Sequence, residues 1–286
     1  MSIVVTGASG QLGRLTVEAL LRRAVPAADI VATGRDVAGL EDLADRGVVV
    51  RRADFADPDS LAAAFAGADR LLLVSASIPV DERVANHRRA IDAAVAAGVS
   101  LVAYTSMVHA DTAATILACT HRATEEYLRE RGVPSVLLRN SWYLENYTGQ
   151  LPVVLQHGAF IGAAGKGRVS AASRADYAEA AAAVLTTEGH TGAVYELGGD
   201  ESFTLDELAA TVSAAVGKPI SYTDLPADKL AEALAGAGVP AEVAHALADA
   251  DLGLGRGELH TESGDLRRLI ARPTTSPADA VADALR

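Results

Sequence analysis

Cysteine, lysine and long apolar runs are what this chain has least of. Cys119 is the only cysteine in 286 residues, which excludes an intrachain disulfide and any metal site built on thiolates. His87 and His109 lie at no spacing that metal ligands use, so no metal is expected. No apolar run approaches the roughly 18–20 residues of a membrane span. A positive balance is missing too: the formal charge is −12 and the pI about 5.0, which argues against nucleic acid or an anionic membrane as the main partner. The chain begins directly with a strand pattern and shows no signal peptide, so a cytoplasmic location is expected. Lysine stands only at Lys166, Lys218 and Lys229, which leaves 25 − 3 = 22 arginines among the basic residues. Disorder is excluded in turn, because half the residues are hydrophobic and mean hydropathy is +0.19.

What is present is a rhythm. Over the first 140 residues, apolar runs at Ser2–Thr6, Asp29–Thr33, Val48–Arg51, Asp69–Ser75, Leu101–Thr105 and Val136–Arg139 read as strands. Several are apolar on both faces, as parallel strands covered by helices must be. Between them, Leu12–Arg23, Val37–Arg46, Asp59–Phe65, Arg83–Ala97 and His121–Arg131 carry apolar residues at helical spacing. Such alternation implies an α/β fold with a parallel, doubly wound, Rossmann-type sheet. After about residue 140 the rhythm changes. Arg174–Thr187 is an alanine-rich helix and Ala193–Leu197 a strand. Thr204–Val216 is a helix capped by Thr204 with Glu207 three residues on. Ile220–Thr223 is a short strand, and Pro226–Gly236, Pro240–Ala250 and Pro277–Leu285 are helices. The expected organisation is a dinucleotide-binding domain over residues 1–140, with residues 174–200 returning to it. A smaller, interleaved C-terminal α/β substrate lobe covers 141–286.

The first strand runs into Gly7-Ala8-Ser9-Gly10-Gln11-Leu12-Gly13, a GxxGxxG variant of the dinucleotide fingerprint, and a helix follows at once. Glycines allow a tight turn and close approach of the backbone to a pyrophosphate, and the helix N-terminus offers that anion free N–H groups. The glycine pattern alone is weak; its place between strand and helix is what the motif requires. The second strand ends Thr33-Gly34-Arg35-Asp36, where the adenosine ribose should lie. Arg35 suits a 2′-phosphate and favours NADP(H), while Asp36 leaves NAD(H) open. Asp54 and Phe55 follow the third strand, near the adenine edge. Ser75, Ala76 and Ser77 end the fourth and should line the floor. Ligands in such sheets bind at the carboxyl ends of the strands, so Ser75, Thr105 and Ser106 point to one crevice.

Many short-chain dehydrogenases use Tyr-x-x-x-Lys, whose lysine lowers the tyrosine pKa for proton transfer to an alcohol oxygen. The seven tyrosines here are followed at that spacing by Val108, Arg131, Tyr147, Leu151, Ala181, Gly199 and Pro226. Alcohol–ketone chemistry by that route is excluded. A hydride acceptor that needs no strong protein acid fits better: a quinone, an activated imine or a dye cation. For these the protein need only position the acceptor and stabilise developing charge.

The segments VTGASGQLG (5–13), AYTSMVHADT (103–112), HRATEEYL (121–128), LLRNSWYLENY (137–147), HGAFIGAAGKGRVSAASRADYAEAAA (157–182), VYELGGD (194–200) and RPTTS (272–276) carry a likeness across essentially the whole chain. The sequence resembles the atypical short-chain dehydrogenases of the NmrA-like group, and within it the flavin-free NADPH:quinone oxidoreductases. The resemblance implies NADPH held by the Gly7–Gly13 loop, Arg35, the ends of strands three to five and Leu138, Arg139, Asn140, Ser141, Trp142 and Tyr143. It implies two-electron reduction of a quinone, without flavin or metal. Asn140, Trp142, Tyr143 and Asn146 would face the acceptor, with Asn140 and Tyr143 stabilising the oxyanion. An aromatic wall with a few polar groups suits a flat quinone.

His121 takes the place of the usual lysine and has two readings, contact with the nicotinamide ribose or an internally satisfied ring. Lys166 and Arg168 either approach substrate or cofactor or form a solvated turn. Arg174 and Asp176 open a helix and read better as a cap or ion pair, and Cys119 as an incidental small residue. The NmrA-like group also includes redox sensors that bind NADP(H) without turnover, and that reading stays open beside reduction of an imine or a dye. A homodimer is the commonest outcome for a soluble enzyme, and nothing in the sequence selects it.

Overall fold

The computed structural model describes residues 1–76 and 80–286. Among the described residues there are nine strands: β1 (Ile3–Val5), β2 (Ile30–Gly34), β3 (Val49–Arg52), β4 (Arg70–Leu73), β5 (Leu101–Met107), β6 (Ser135–Asn140), β7 (Ala159–Gly162), β8 (Val194–Leu197) and β9 (Ser221–Asp224). Seven of them form one sheet in the order β3-β2-β1-β4-β5-β6-β8. Pairing is parallel from β3 across to β5. The bonds Val102 N–H to Pro134 O and Val108 N–H to Asn140 O advance six residues on each strand, as a parallel β5–β6 pair requires. Every residue of β1, β2, β4 and β5 is buried. That burial explains why these runs are apolar on both faces.

Among the crossovers are the helices Gln11–Arg22, Pro58–Phe65, Val80–Ala96 and Ile116–Arg131. Asp57 caps the second of them by accepting the Ser60 N–H, with Pro58 in the first turn. The alanine-rich run forms Arg174–Thr186, which is buried around most of its circumference and packs on helix Gln11–Arg22. Small side chains allow that close approach. Arg70 donates to the carbonyls of Leu185 and Thr187 at 3.0 and 2.9 Å and so closes the C-terminal end of this helix.

The chain divides into two compact units. The first holds 1–106, 120–139 and 174–195; the second holds 107–119, 140–173 and 196–286. The first has a core of Val4, Val31, Leu61, Phe65, Leu71, Ile91, Tyr104 and Leu128 with their neighbours. The second is built around Leu144, Tyr147, Leu151, Phe160, Phe203, Leu208, Val212 and Leu254. It contains the two-stranded parallel pair β7–β9 and helix Leu205–Val216. The capping box anticipated there is formed in full between Thr204 and Glu207. The short helices Glu145–Thr148, Leu151–His157 and Asp265–Ile270, and the four-residue β7, have no counterpart in the sequence reading. Each is too short for a periodic signal to exceed the noise of its flanks.

One buried ion pair stiffens the first unit. Arg139 on β6 meets Glu125 on helix Ile116–Arg131 in a two-point contact at 2.9 and 2.7 Å, and Ser106 Oγ donates to the same carboxylate at 2.5 Å. The two charged side chains are 7% and 1% exposed. Removing one partner strands the other charge in a dry site. Glu125→Ala is expected to lower unfolding free energy by about 3–5 kcal/mol in urea titrations. The double change Glu125→Leu/Arg139→Met should recover most of that loss.

Candidate functional site

The order β3-β2-β1-β4-β5 reverses direction between β1 and β4, and ligands of open parallel sheets gather outside the carboxyl ends of the strands at such a point. A cavity of about 330 Å³ lies there, within the first unit. Gly7, Ser9, Gly10, Gln11, Leu12 and Gly13 of the glycine loop line it, as do Arg35, Asp54, Phe55, Ser75 and Ala76. All of these were expected from the sequence. Gly34, Ala53, Val74 and Asn86 line it as well, and no motif marks them.

The loop geometry depends on two glycines. Gly7 takes φ +62°, and a Cβ at Gly13 would stand 2.4 Å from the Gly7 carbonyl oxygen. The helix therefore begins in direct contact with the turn that precedes it. Its N-cap, Gly10, provides no side-chain cap, and no acidic residue lies in the first turn. The leading N–H groups are left to an anion. Arg35 is exposed on the rim and makes no ion pair among the described residues, whereas Asp36 accepts the Ala38 N–H at 2.9 Å. The cation faces outward and the acid closes its own turn. Asp54 likewise accepts the Ala56 N–H at 3.0 Å.

The floor is held from beneath by side chains. The N–H of Val74 goes to Thr6 Oγ1, that of Ser75 to Thr105 Oγ1 and that of Ala76 to His87 Nε2, each at 2.9 Å. Because His87 Nε2 accepts, its proton sits on Nδ1 and is given to Thr124 Oγ1 at 2.9 Å. Burial, aided by the Arg83 charge, depresses the His87 pKa to about 3, so the ring stays neutral. The same buried group holds His121. Arg83 can only donate, so His121 Nε2 accepts at 2.8 Å while Nδ1 pairs with Tyr104 Oη at 2.8 Å. Burial pushes the His121 pKa well below its ordinary value. Both ring nitrogens are engaged inside the unit, which leaves neither for a ribose. Leu138 is buried and Arg139 is engaged by Glu125. Ser77 lies outside the described residues.

Asn140, Ser141, Trp142, Tyr143, Asn146, Lys166 and Arg168 fall in the second unit. Asn140 is 5% exposed, and its Oδ1 is buried with no hydrogen-bond partner among the described residues. Such an orphaned acceptor is the kind of group a bound donor satisfies. Ser141 is tied to Leu197 and Leu259 carbonyls, and Trp142 and Tyr143 run beside Ala172. Trp142 and Asn146 meet on a second cavity, of about 250 Å³. Its walls are Tyr147, Phe160, Ile161, Leu205, Leu230, Leu234 and Leu247, with Gln150 and Asp251 as further polar residues. The Tyr147 hydroxyl is buried without a partner among the described residues. Lys166 and Arg168 are exposed and paired with Asp206 and Glu207. Asp176 is buried in the first turn of its helix, Arg174 is half-buried beside it in sequence, and Cys119 is exposed. Among the described residues no cluster could hold a metal ion, and no helix is long and apolar enough to cross a membrane.

Asp251 had no sequence signal. Its Oδ2 accepts the Ala163 N–H at 2.8 Å, and burial, reinforced by the Asp224 charge, lifts its pKa to about 6 against the pull of that N–H.

A model of the NmrA-like family matches residues 1–262. The chain is 47% identical over 279 residues to quinone oxidoreductase 2 of Escherichia coli (strain K12), covering 98% of this chain and 97% of that protein. It superposes on the crystal structure of an NADPH-dependent quinone oxidoreductase from Escherichia coli complexed with NADPH at TM-score 0.95. Identity there is 46%, over 99% of this chain and all of that one. The triphenylmethane reductase of Citrobacter sp. complexed with NADP(H) is similar at TM-score 0.93 and 37% identity, over 99% of this chain and 100% of that one.

The Asp251 carboxyl carries a testable consequence for stability. The folded protein takes up this proton near pH 6 and the unfolded chain near 3.8. Between those values folding binds a proton, so the group's contribution to stability falls as pH rises through 6. Asp251→Asn should therefore gain stability relative to the unmodified chain on moving from pH 5 to pH 7. Thermal melts at the two pH values should show a gain of a few degrees, at roughly 2–4 °C per kcal/mol. An identical pH response in both proteins would disprove the assignment.

Proposed function

The chain belongs to the NmrA-like family, and on that premise we propose that it reduces quinones by two electrons at the expense of NADPH, without a flavin and without a Tyr-x-x-x-Lys proton donor. The observation that carries this reading is the match to quinone oxidoreductase 2 along nearly the full length of both chains. The residues of the first-unit cavity fit a dinucleotide. A side chain at Gly13 would collide with the Gly7 carbonyl and push the helix start off the turn, the helix start is uncapped, and Arg35 is a cation with no ion pair among the described residues. The Gly7–Gly13 backbone would hold the pyrophosphate, Arg35 the 2′-phosphate, Asp54 and Phe55 the adenine edge, and Ser75 and Ala76 the wall. Bound there, NADPH supplies a hydride.

The second-unit cavity, with Trp142 and Asn146 on its wall, is assigned to the acceptor. Asn140, Trp142 and Tyr143 act at the reacting end. Trp142 orients a flat ring, and Asn140 and Tyr143 offer polar groups to an oxygen that gains charge. Reduction of a quinone leaves a phenolate-type oxygen that takes its proton from water, so the absence of a strong acid costs little. His121, Lys166 and Arg168 have no part in this assignment. The same frame would serve an imine or a dye, and a sensor would need the first cavity alone. An apolar second cavity of this size favours turnover.

The decisive assay follows NADPH absorbance with excess 1,4-benzoquinone. Consumption well above the protein-free background is expected. Tight NADPH binding with no consumption across quinones, imines and dyes would support the sensor instead.

Two substitutions divide the roles. Arg35→Ala should weaken NADPH binding by about tenfold or more while shifting NADH by less than about threefold. Equal losses for both would remove the 2′-phosphate from Arg35. Asn140→Ala should lower kcat by roughly 10–100-fold with NADPH affinity nearly unchanged. The reverse pattern would place Asn140 on the cofactor side.

A further inference from the structure

The acceptor cavity has one charged residue on its wall. Phe160, Ile161, Leu205, Leu230, Leu234 and Leu247 make most of the surface apolar, and Asp251 interrupts it. The carboxyl is anchored at one oxygen only. Asp251 Oδ2 accepts the Ala163 N–H at 2.8 Å, and a Cβ on Gly162 would come as close as 2.8 Å to that same oxygen. This bond is the only one Asp251 makes among the described residues, and no cation pairs with it. A carboxylate has room for about four hydrogen bonds, so its second oxygen is available to whatever enters the cavity. The Tyr147 hydroxyl on the same wall makes no bond to the carboxyl and has no hydrogen-bond partner among the described residues, and the neighbouring polar groups are turned elsewhere. Gln150 is turned to the Asn146 carbonyl at 2.6 Å, and Tyr222 donates to Asp224 at 2.7 Å.

We infer that Asp251 is a specificity determinant, and that the cavity takes a quinone bearing a neutral hydrogen-bond donor while rejecting anionic acceptors. This rests on the assignment of the second cavity to the acceptor. The choice of substituent follows from the carboxyl. A hydroxyl or amide on the ring donates to the open oxygen of Asp251, and a charge-assisted bond of this kind is among the stronger ones. A bare hydrocarbon edge leaves that oxygen without a partner. A sulfonate or carboxylate sets like charge against it in an apolar surround, where screening is weak. Rejecting the wrong ligand by repulsion gives more discrimination than an added methylene contact would.

The test is binding, read without NADPH. Trp142 is the only tryptophan of the chain and lies on the cavity wall, so quenching of its fluorescence reports occupancy. The probes are 6-(hydroxymethyl)-1,4-naphthoquinone, 1,4-naphthoquinone and 1,4-naphthoquinone-6-sulfonate. All are titrated in a Cys119→Ser background, because Cys119 is exposed and its thiol would add to a quinone. The expected order is hydroxymethyl tighter than parent by about tenfold, and sulfonate weaker than parent by about tenfold or more. Asp251→Asn should bring the sulfonate to within about threefold of the parent, and Asp251→Ser should do the same should the amide perturb folding. Equal affinities in the unsubstituted cavity overturn the inference. So does a sulfonate-to-parent ratio that neither variant moves, or the absence of quenching by all three. NADPH consumption is measured separately with 1,4-benzoquinone. The binding order holding without consumption would sink the reductase reading alone, and consumption without the order would sink this inference alone.

Discussion

The contact between Gly13 and the carbonyl of Gly7 is the constraint from which the first unit is built. With 2.4 Å between that oxygen and the place a Cβ would occupy, only hydrogen fits. The helix can therefore start directly on the turn that leaves β1. Helix Gln11–Arg22 then lies where its buried face, Leu12, Thr16, Val17 and Leu20, meets the sheet, and its open N-terminus faces the cavity at the strand-order reversal. Gly34 extends the same logic to β2, since a Cβ there would stand 2.7 Å from Ser9 Oγ. Close backbone packing and an open helix N-terminus are thus one arrangement. A chain that needed only a tight turn would not also require the helix start to be uncapped and free of acid.

Around that contact the polar groups are organised to hold the backbone in place. Thr6, Thr105 and His87 each fix one amide of the Val74–Ala76 floor, and none of them gives up a charge to do so. His87 stays neutral because burial and Arg83 both oppose its protonation. A neutral imidazole can accept from Ala76 and donate to Thr124 at once, which no cationic side chain could do. Arg83, His121 and Tyr104 continue the same buried chain. With both ring nitrogens of His87 and of His121 engaged, the floor is held in one geometry, which suits a surface that must meet a rigid ligand.

Legibility in the sequence followed the range of the interactions. The strands and crossover helices were readable because their patterns repeat over many residues. The Thr204–Glu207 cap was readable because it is complete within four residues. The glycine loop was readable because turn, strand and helix follow one another in the chain. Arg139 and His121 were placed at a ligand because the sequence shows residue types and not partners. Glu125, 14 residues from Arg139, and Tyr104, 17 residues from His121, engage them in the folded chain. Asp251 was invisible for the same reason. Nothing in ADADLG marks a carboxyl that reaches back 88 residues to the Ala163 amide. Lys166 and Arg168 were legible only as charges in a glycine-rich turn, and their acidic partners lie 40 and 39 residues away.

The same distinction separates what the fold decides from what a few side chains decide. The first-unit cavity is made largely of backbone: glycines, free N–H groups and amides pinned from below. Its chemistry cannot drift far without loss of the sheet's connection to its first helix. The second-unit cavity is made of side chains, most of them leucine or aromatic, around a single carboxyl. Each can change without touching the sheet, so under the proposed assignment acceptor choice can vary while the first-unit cavity is kept. The scarcity of lysine belongs to this division. A Tyr–Lys pair would tie the frame to alcohol chemistry, because its proton must be delivered at a fixed oxygen. Without one, the acceptor must be a molecule that tolerates hydride addition before protonation, and the wall is released from that proton geometry. What remains for it to control is shape and charge, and in this chain the charge on the wall is Asp251.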